Sequence, residues 1–160
     1  ISTIKKEYYE SELGQRILNL IKYFEPDFYT ELHCYNLKNY EKLTSMERYV
    51  QTGVPPLIKL GNHVLVSSVS PLIRMTYFST ETVCKTLEFP CLEKLTPELV
   101  DEYNFDKKLA CQTYEKLLKL ILKAPSRQYF EKQMLKDYSS QVDLAVQYAK
   151  KVFGEDFPPY

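Results

Sequence analysis

One segment limits the folds open to this chain more than any other. Residues 106–124, DKKLACQTYEKLLKLILKA, have to form a helix. At a helical step per residue, Leu109, Leu120, Leu117, Ala110, Ile121, Tyr114, Leu118, Cys111 and Leu122 occupy roughly 220° of its circumference. Lys108, Lys116, Lys119 and Lys123 fall in the remaining sector with Gln112. A surface helix needs an apolar stripe of only ~100°. This one is therefore expected to be packed on two or three sides, the central post of a core, showing water a single lysine strip.

The rest of the chain suits one domain. At 160 residues it is long enough to bury most of the surface its unfolded form exposes. With 44% hydrophobic and 26% charged residues, its composition is that of a globular domain and not of a disordered one. No apolar run reaches the ~20 residues of a transmembrane helix, and no basic stretch followed by an apolar one marks a signal peptide. The chain opens on Ile1 and not on Met. It therefore reads as an excised domain or a cleaved product, and any targeting signal is expected outside it.

Charge balances at 21 against 21, which disfavours bulk coating of nucleic acid or adsorption to an anionic membrane. Locally it is uneven. Residues 81–106 set two lysines against seven acids, and residues 107–136 set eight cations against two acids. The lysine strip reads as a solvated face or a docking surface, with a phosphate track as the alternative.

The four cysteines, Cys34, Cys84, Cys91 and Cys111, form no CxxC pair and show no zinc-ligand spacing. A chain with a real core needs no disulfide staples, and no asparagine begins a glycosylation acceptor. Reduced thiols and a cytoplasmic or nuclear location are expected.

Three stretches follow one another. Residues 1–53 are expected to be helical. Tyr9, Leu13, Ile17, Leu20, Ile21 and Phe24 share one arc of a helix over 5–24 that Pro26 closes, and Thr44 to Glu47 fits a capping box for a short helix ending before Gly53. Residues 55–89 change period. Leu57 to Leu60 and His63 to Val66 flank Gly61-Asn62 as a hairpin with Gly at the first turn position, and Ile73, Met75 and Tyr77 alternate as a third strand. Residues 83–89 form either a fourth strand or a short helix. Residues 96–154 are helical again, opening on the start signal Thr96-Pro97-Glu98. There the central helix stops before Pro125, a helix runs from Ser126 to Tyr138, and a last helix ends at Gly154, with Pro158-Pro159 closing the fold. The architecture expected is α+β and mainly helical, as one domain over 1–160: an N-terminal helical segment, a small antiparallel sheet or hairpin, and a C-terminal bundle around the buried helix.

Catalytic signals are sparse. His33 and His63 are the only histidines, and the four glycines form no phosphate-cradling loop. His33 adjoins Cys34, but on a strand the two point to opposite faces and on a helix they diverge. No HExxH, DxD or paired-acid motif is present, although a fold can assemble acid pairs that no local sequence shows. No catalytic residue, metal ligand or cofactor is expected.

Binding signals are stronger. The chain has fourteen tyrosines and no tryptophan, and Tyr29, Tyr35, Tyr40 and Tyr49 crowd one short stretch. Tyrosine favours core edges and interfaces, so these rings together with Lys108, Lys116, Lys119 and Lys123 are the candidate partner-binding residues. The role expected is a non-enzymatic protein–protein interaction module in a larger intracellular assembly, with another protein as partner and no membrane. Nucleic-acid binding is the alternative, through the lysine strip or a winged-helix arrangement with residues 39–52 as the reading helix. That helix has Lys42 and Arg48 as its only interior basic residues, against Glu41 and Glu47.

One run resembles a known family. PPLIKLGNHVLV, SSVSPLIRM and KTLEFP before a Pro-started helix are similar in hydrophobic pattern to the strand–strand–helix–strand–helix run of Skp1 and other BTB/POZ folds, over at most residues 55–124. The resemblance implies an adaptor that binds another protein.

Overall fold

A computed structural model describes residues 5–154, with Phe153 through its backbone alone. The expected chain end at Pro158-Pro159 lies outside the described residues. The elements in order are α1 (Lys6–Glu10), α2 (Glu12–Phe24), β1 (Phe28–Tyr35), α3 (Tyr40–Thr44), α4 (Glu47–Thr52), β2 (Ile58–Gly61), β3 (Val64–Ser67), α5 (Pro71–Tyr77), β4 (Val83–Pro90), α6 (Pro97–Glu102), α7 (Lys107–Lys123) and α8 (Arg127–Phe153).

The class is α+β, but the sheet is neither a hairpin nor purely antiparallel. Four strands lie in the order β1-β4-β3-β2. β1 and β4 pair in parallel over their full length, Phe28 opposite Val83 through Tyr35 opposite Pro90. β3 joins β4 and β2 antiparallel. The expectation of an all-helical first third is thereby corrected. Residues 28–35 include three aromatic side chains and Thr30 and follow the Glu25-Pro26-Asp27 turn, and β4 satisfies their backbone along one side.

The third strand expected at 73–77 is instead helix α5. Pro71 occupies its first turn, where the missing N–H is no loss, and Ile73 and Arg74 are its buried residues. The buried Arg74 guanidinium donates to the Ser79 carbonyl at 2.7 Å and the Thr80 carbonyl at 3.3 Å, closing the turn into β4. Residues 83–90 are strand. The β2–β3 hairpin forms, but its turn is Asn62-His63, both at positive φ (48° and 61°), the pattern of a I′ turn, with the register shifted between Lys59 and Gly61.

The helix at 106–124 is not the central post. α7 buries Ala110, Leu117 and Ile121 only, while Cys111 is exposed, Leu109 is 44% exposed and Leu122 is 75% exposed. A helix lying on one face of a sheet covers one stripe, and its surplus leucines stay in water. The 5–24 segment breaks at Ser11, whose hydroxyl accepts from the Gly14 N–H to cap α2. α2 buries Gly14, Leu18 and Ile21, leaving Leu13, Leu20 and Phe24 exposed.

Other boundaries follow local chemistry. Thr96 caps α6, Asp106 caps α7 and Ser126 caps α8, each accepting from a backbone N–H three residues on. Gly53 ends α4 at φ 69°. At α4's start Ser45, and not Thr44, accepts from the Glu47 N–H, while the Thr44 hydroxyl donates to the Tyr40 carbonyl. The expected break between two C-terminal helices appears as a kink in α8 at Tyr138, with φ −143° and ψ 39°.

The sheet separates two clusters. On one face Val83, Leu87, Val64 and Val66 pack with Leu117, Phe130, Met134 and Val142 of α7 and α8. On the other, Cys84 packs with Tyr9, Leu18, Ile21, Val69 and Ile73, from α1, α2 and the start of α5.

Candidate functional site

The second face is covered unevenly. Near the amino ends of β1 and β4, α2 and α5 lie over it, with Tyr29 against Phe78 at 4.8 Å. Toward the carboxyl ends the cover stops and a cleft opens. Its floor is Glu31 and His33 of β1 with Thr86 and Glu88 of β4; its walls include Arg48 of α4 and Pro55. The cleft has a volume of about 80 Å³, room for several waters or the head of a small ligand.

Strand periodicity builds the floor. Residues two apart share a face, so Tyr29, Glu31 and His33 line up along β1. Parallel register sets His33 opposite Glu88. His33 Nδ1 lies 3.3 Å from Glu88 Oε1, and His33 Nε2 lies 3.4 Å from Glu31 Oε2. The Tyr29 hydroxyl donates to Glu31 at 3.2 Å. The result is a polar chain, Tyr29–Glu31–His33–Glu88, with one imidazole between two carboxylates.

The groups adjust one another's charge. The Glu31 and Glu88 side chains are only 12% and 15% exposed, against 34% for His33. Burial raises the Glu31 carboxyl above its ordinary range. The hydrogen bond to Glu88 raises His33, with help from both carboxylate charges and against the opposing effect of burial. Two largely buried carboxylates thus favour the protonated form of the ring between them. Across the cleft Arg48 donates to the Pro55 carbonyl at 2.5 Å. Burial lowers its pKa while the Glu88 charge works to restore it. An imidazole backed by carboxylates is a group equipped for proton exchange, and a fixed guanidinium attracts an anionic group.

Among the described residues no group of three His, Cys, Asp or Glu has the arrangement of a metal site.

Of the residues expected to bind a partner, only Tyr29 touches the site, through its hydroxyl on Glu31; the others lie elsewhere. Tyr29 is half-buried under Phe78. Tyr35 is 6% exposed, and its hydroxyl donates to the His63 carbonyl at 2.6 Å. Tyr40 is half-buried between Tyr35 and the His63 ring, with Lys59 Nζ 4.6 Å from its centroid. Tyr49 is half-buried on α4. Lys108, Lys116, Lys119 and Lys123 are exposed on α7, away from the cleft; Lys116 pairs with Asp137 at 2.9 Å and Lys119 with Glu115 at 2.5 Å. His63 sits in the hairpin turn with its ring 5.6 Å from Phe105, and burial lowers its pKa. Glu31 and Glu88 are absent from the sequence-based candidates, Arg48 enters only as a basic residue of the alternative reading helix, and His33 enters only to be set aside. The available signal was Glu31-Leu32-His33 as alternating positions of a strand.

Comparison with known proteins places the chain in a family. Residues 1–154 match the family described as "Uncharacterized protein conserved in archaea (DUF2119)", and the chain belongs to it. It is 37% identical over 151 residues to a Methanocaldococcus jannaschii protein described as "Uncharacterized protein MJ0501". That match covers 94% of this chain and 66% of the relative, so the chain spans about two thirds of the relative's length. No solved structure matches. No helix among the described residues is long and apolar enough to cross a membrane.

Proposed function

We propose that this member of an archaeal family carries a small-molecule site equipped for acid–base chemistry on an anionic substrate, centred on His33 and Glu88. One observation supports the reading above the rest. His33 is fixed between Glu31 and Glu88 on the sheet face that forms the floor of the cleft, with Arg48 in the wall across from them. Glu88 orients the ring and raises its basicity; Glu31, anchored by Tyr29, steadies the other nitrogen. The Glu88 carboxylate, backed by the ring, then exchanges a proton with a substrate in the cleft, and Arg48 supplies the positive charge that selects an anion. All four cysteines are free, which suits a reducing cytoplasm.

The test follows the His33 imidazole by NMR while small carboxylates, phosphates and their neutral analogues are titrated in. Anionic members should shift the ring resonances, and Arg48→Gln and Glu88→Gln should each weaken that response. If no compound moves His33, or neutral analogues act as well as the anions, the reading fails.

A further inference from the structure

β1 ends the sheet, and its outer edge has no strand beside it among the described residues. The Asp27 and Tyr35 carbonyls accept from the N–H groups of Val83 (2.9 Å) and Cys91 (2.8 Å) on the β4 side. In a parallel ladder alternate residues turn their backbone groups to opposite sides, so Phe28, Thr30, Leu32 and Cys34 direct theirs to the free edge. Natural edges are normally short, bulged, charged with lysine or interrupted by proline. β2, at the far end, is four residues long and irregular in register. β1 is eight residues long, regular throughout, and contains neither lysine nor proline. Its Leu32 is 55% exposed.

The helix beside it is uncovered as well. α2 runs into β1 through the turn at 25–27, and its inner residues Leu18 and Ile21 share a cluster with Tyr29 of β1. Its outer flank shows Leu13, Leu20 and Phe24 at 60%, 56% and 67% exposure, within about 40° of one another on the helix. Tyr23, 81% exposed, stacks edge-on against Phe24 at 4.9 Å. Single exposed leucines are ordinary, but three apolar side chains grouped on one flank of a helix that leads directly into an open edge strand mark a surface that another element covers.

The relative's length says which element. About a third of the M. jannaschii protein lies outside its match to this chain, ample for a further strand with its crossover, which takes a dozen or more residues. We infer that the β1 edge and the α2 stripe together dock a further segment of the full-length protein, corresponding to that unmatched third. Its strand continues the sheet beyond β1, and its side chains cover Leu13, Leu20 and Phe24. The inference is independent of the acid–base reading of the cleft.

Hydrogen–deuterium exchange on this chain and on the full-length M. jannaschii protein tests it, alongside sedimentation of the latter. Amides of the strand equivalent to 28–35 should exchange at least about tenfold more slowly in the full-length protein than here, with the full-length protein a monomer. Equal exchange overturns the inference. So does protection that appears only at concentrations where the full-length protein dimerises, since a second copy is then the occupant. In this chain Leu20→Glu with Phe24→Glu should leave the melting temperature nearly unchanged. A fall as large as that of Leu117→Ala shows the stripe already covered, and overturns the inference too.

Discussion

His33 and Glu88 stand 55 positions apart in the chain and face each other as register partners of the parallel β1–β4 pair, Nδ1 to Oε1 at 3.3 Å. That hydrogen bond, together with the charges of Glu88 and Glu31, holds the imidazole pKa above its ordinary value of 6.5. A group whose folded pKa is raised stabilises the fold fully below the unfolded value, and that stabilisation fades as pH climbs through the folded one. NMR titration should therefore place His33 above 6.5 in the native protein and lower in Glu88→Gln. The stability gap between the two proteins should be widest in mild acid, where the ring is protonated and carboxylates stay ionised, and narrow above neutrality. An unshifted midpoint in Glu88→Gln means that the pair is not formed in solution.

Lys85 behaves in the opposite sense. It points from β4 toward α8, and burial lowers its pKa from 10.5 to about 8. Between those values the unfolded chain binds the extra proton, so stability rises with pH across that window, by up to ~3 kcal/mol at ~1.4 kcal/mol per pH unit. Chemical denaturation at pH 7.5 and 10 should show a positive slope that Lys85→Met flattens, over whatever slope the tyrosines and cysteines contribute to both proteins.

The stripe that α7 actually buries predicts unequal effects of equal truncations. Leu117 is 1% exposed and Leu122 is 75% exposed on the same helix. Leu117→Ala should cost about 2–5 kcal/mol, the range for a buried leucine, whereas Leu122→Ala should stay within ~0.5 kcal/mol. Comparable losses in urea melts mean that the helix is covered on both sides.

Gly14 marks where α1 and α2 come closest. A Cβ there would overlap the Tyr8 carbonyl oxygen and lie 2.6 Å from Tyr9 Cα, both backbone atoms that cannot swing aside. Gly14→Ala, a change that normally favours a helix, should instead lower stability by roughly 1–3 kcal/mol. A melting temperature equal to or above that of the parent contradicts the packing of α1 on α2.

The candidate site was half legible. Glu31 and His33 are two apart, and once residues 28–35 are taken as a strand they necessarily share a face. Helical signals on either side and the crowd of tyrosines drew that segment toward a helical or irregular reading. Glu88 and Arg48 carry no local mark at all. Their relation to His33 depends on which strand β4 chooses as its parallel neighbour, and on α4 folding back over the sheet face.

What the residues determine by themselves is local. Thr96, Asp106 and Ser126 start helices because their side chains satisfy an N–H three positions on, and Gly53 ends one because the left-handed region favours it. The β2–β3 hairpin and the break near Tyr138 belong to the same class. Tertiary structure decided which apolar residues meet others and which meet water. Leu117 and Leu122 have identical side chains, as do Leu18 and Leu20, and only the position of the sheet separates buried from exposed. It also decided the pairing of β1 with β4, which closes a loop of about fifty residues and is favoured only once helices cover both faces of the strands it joins.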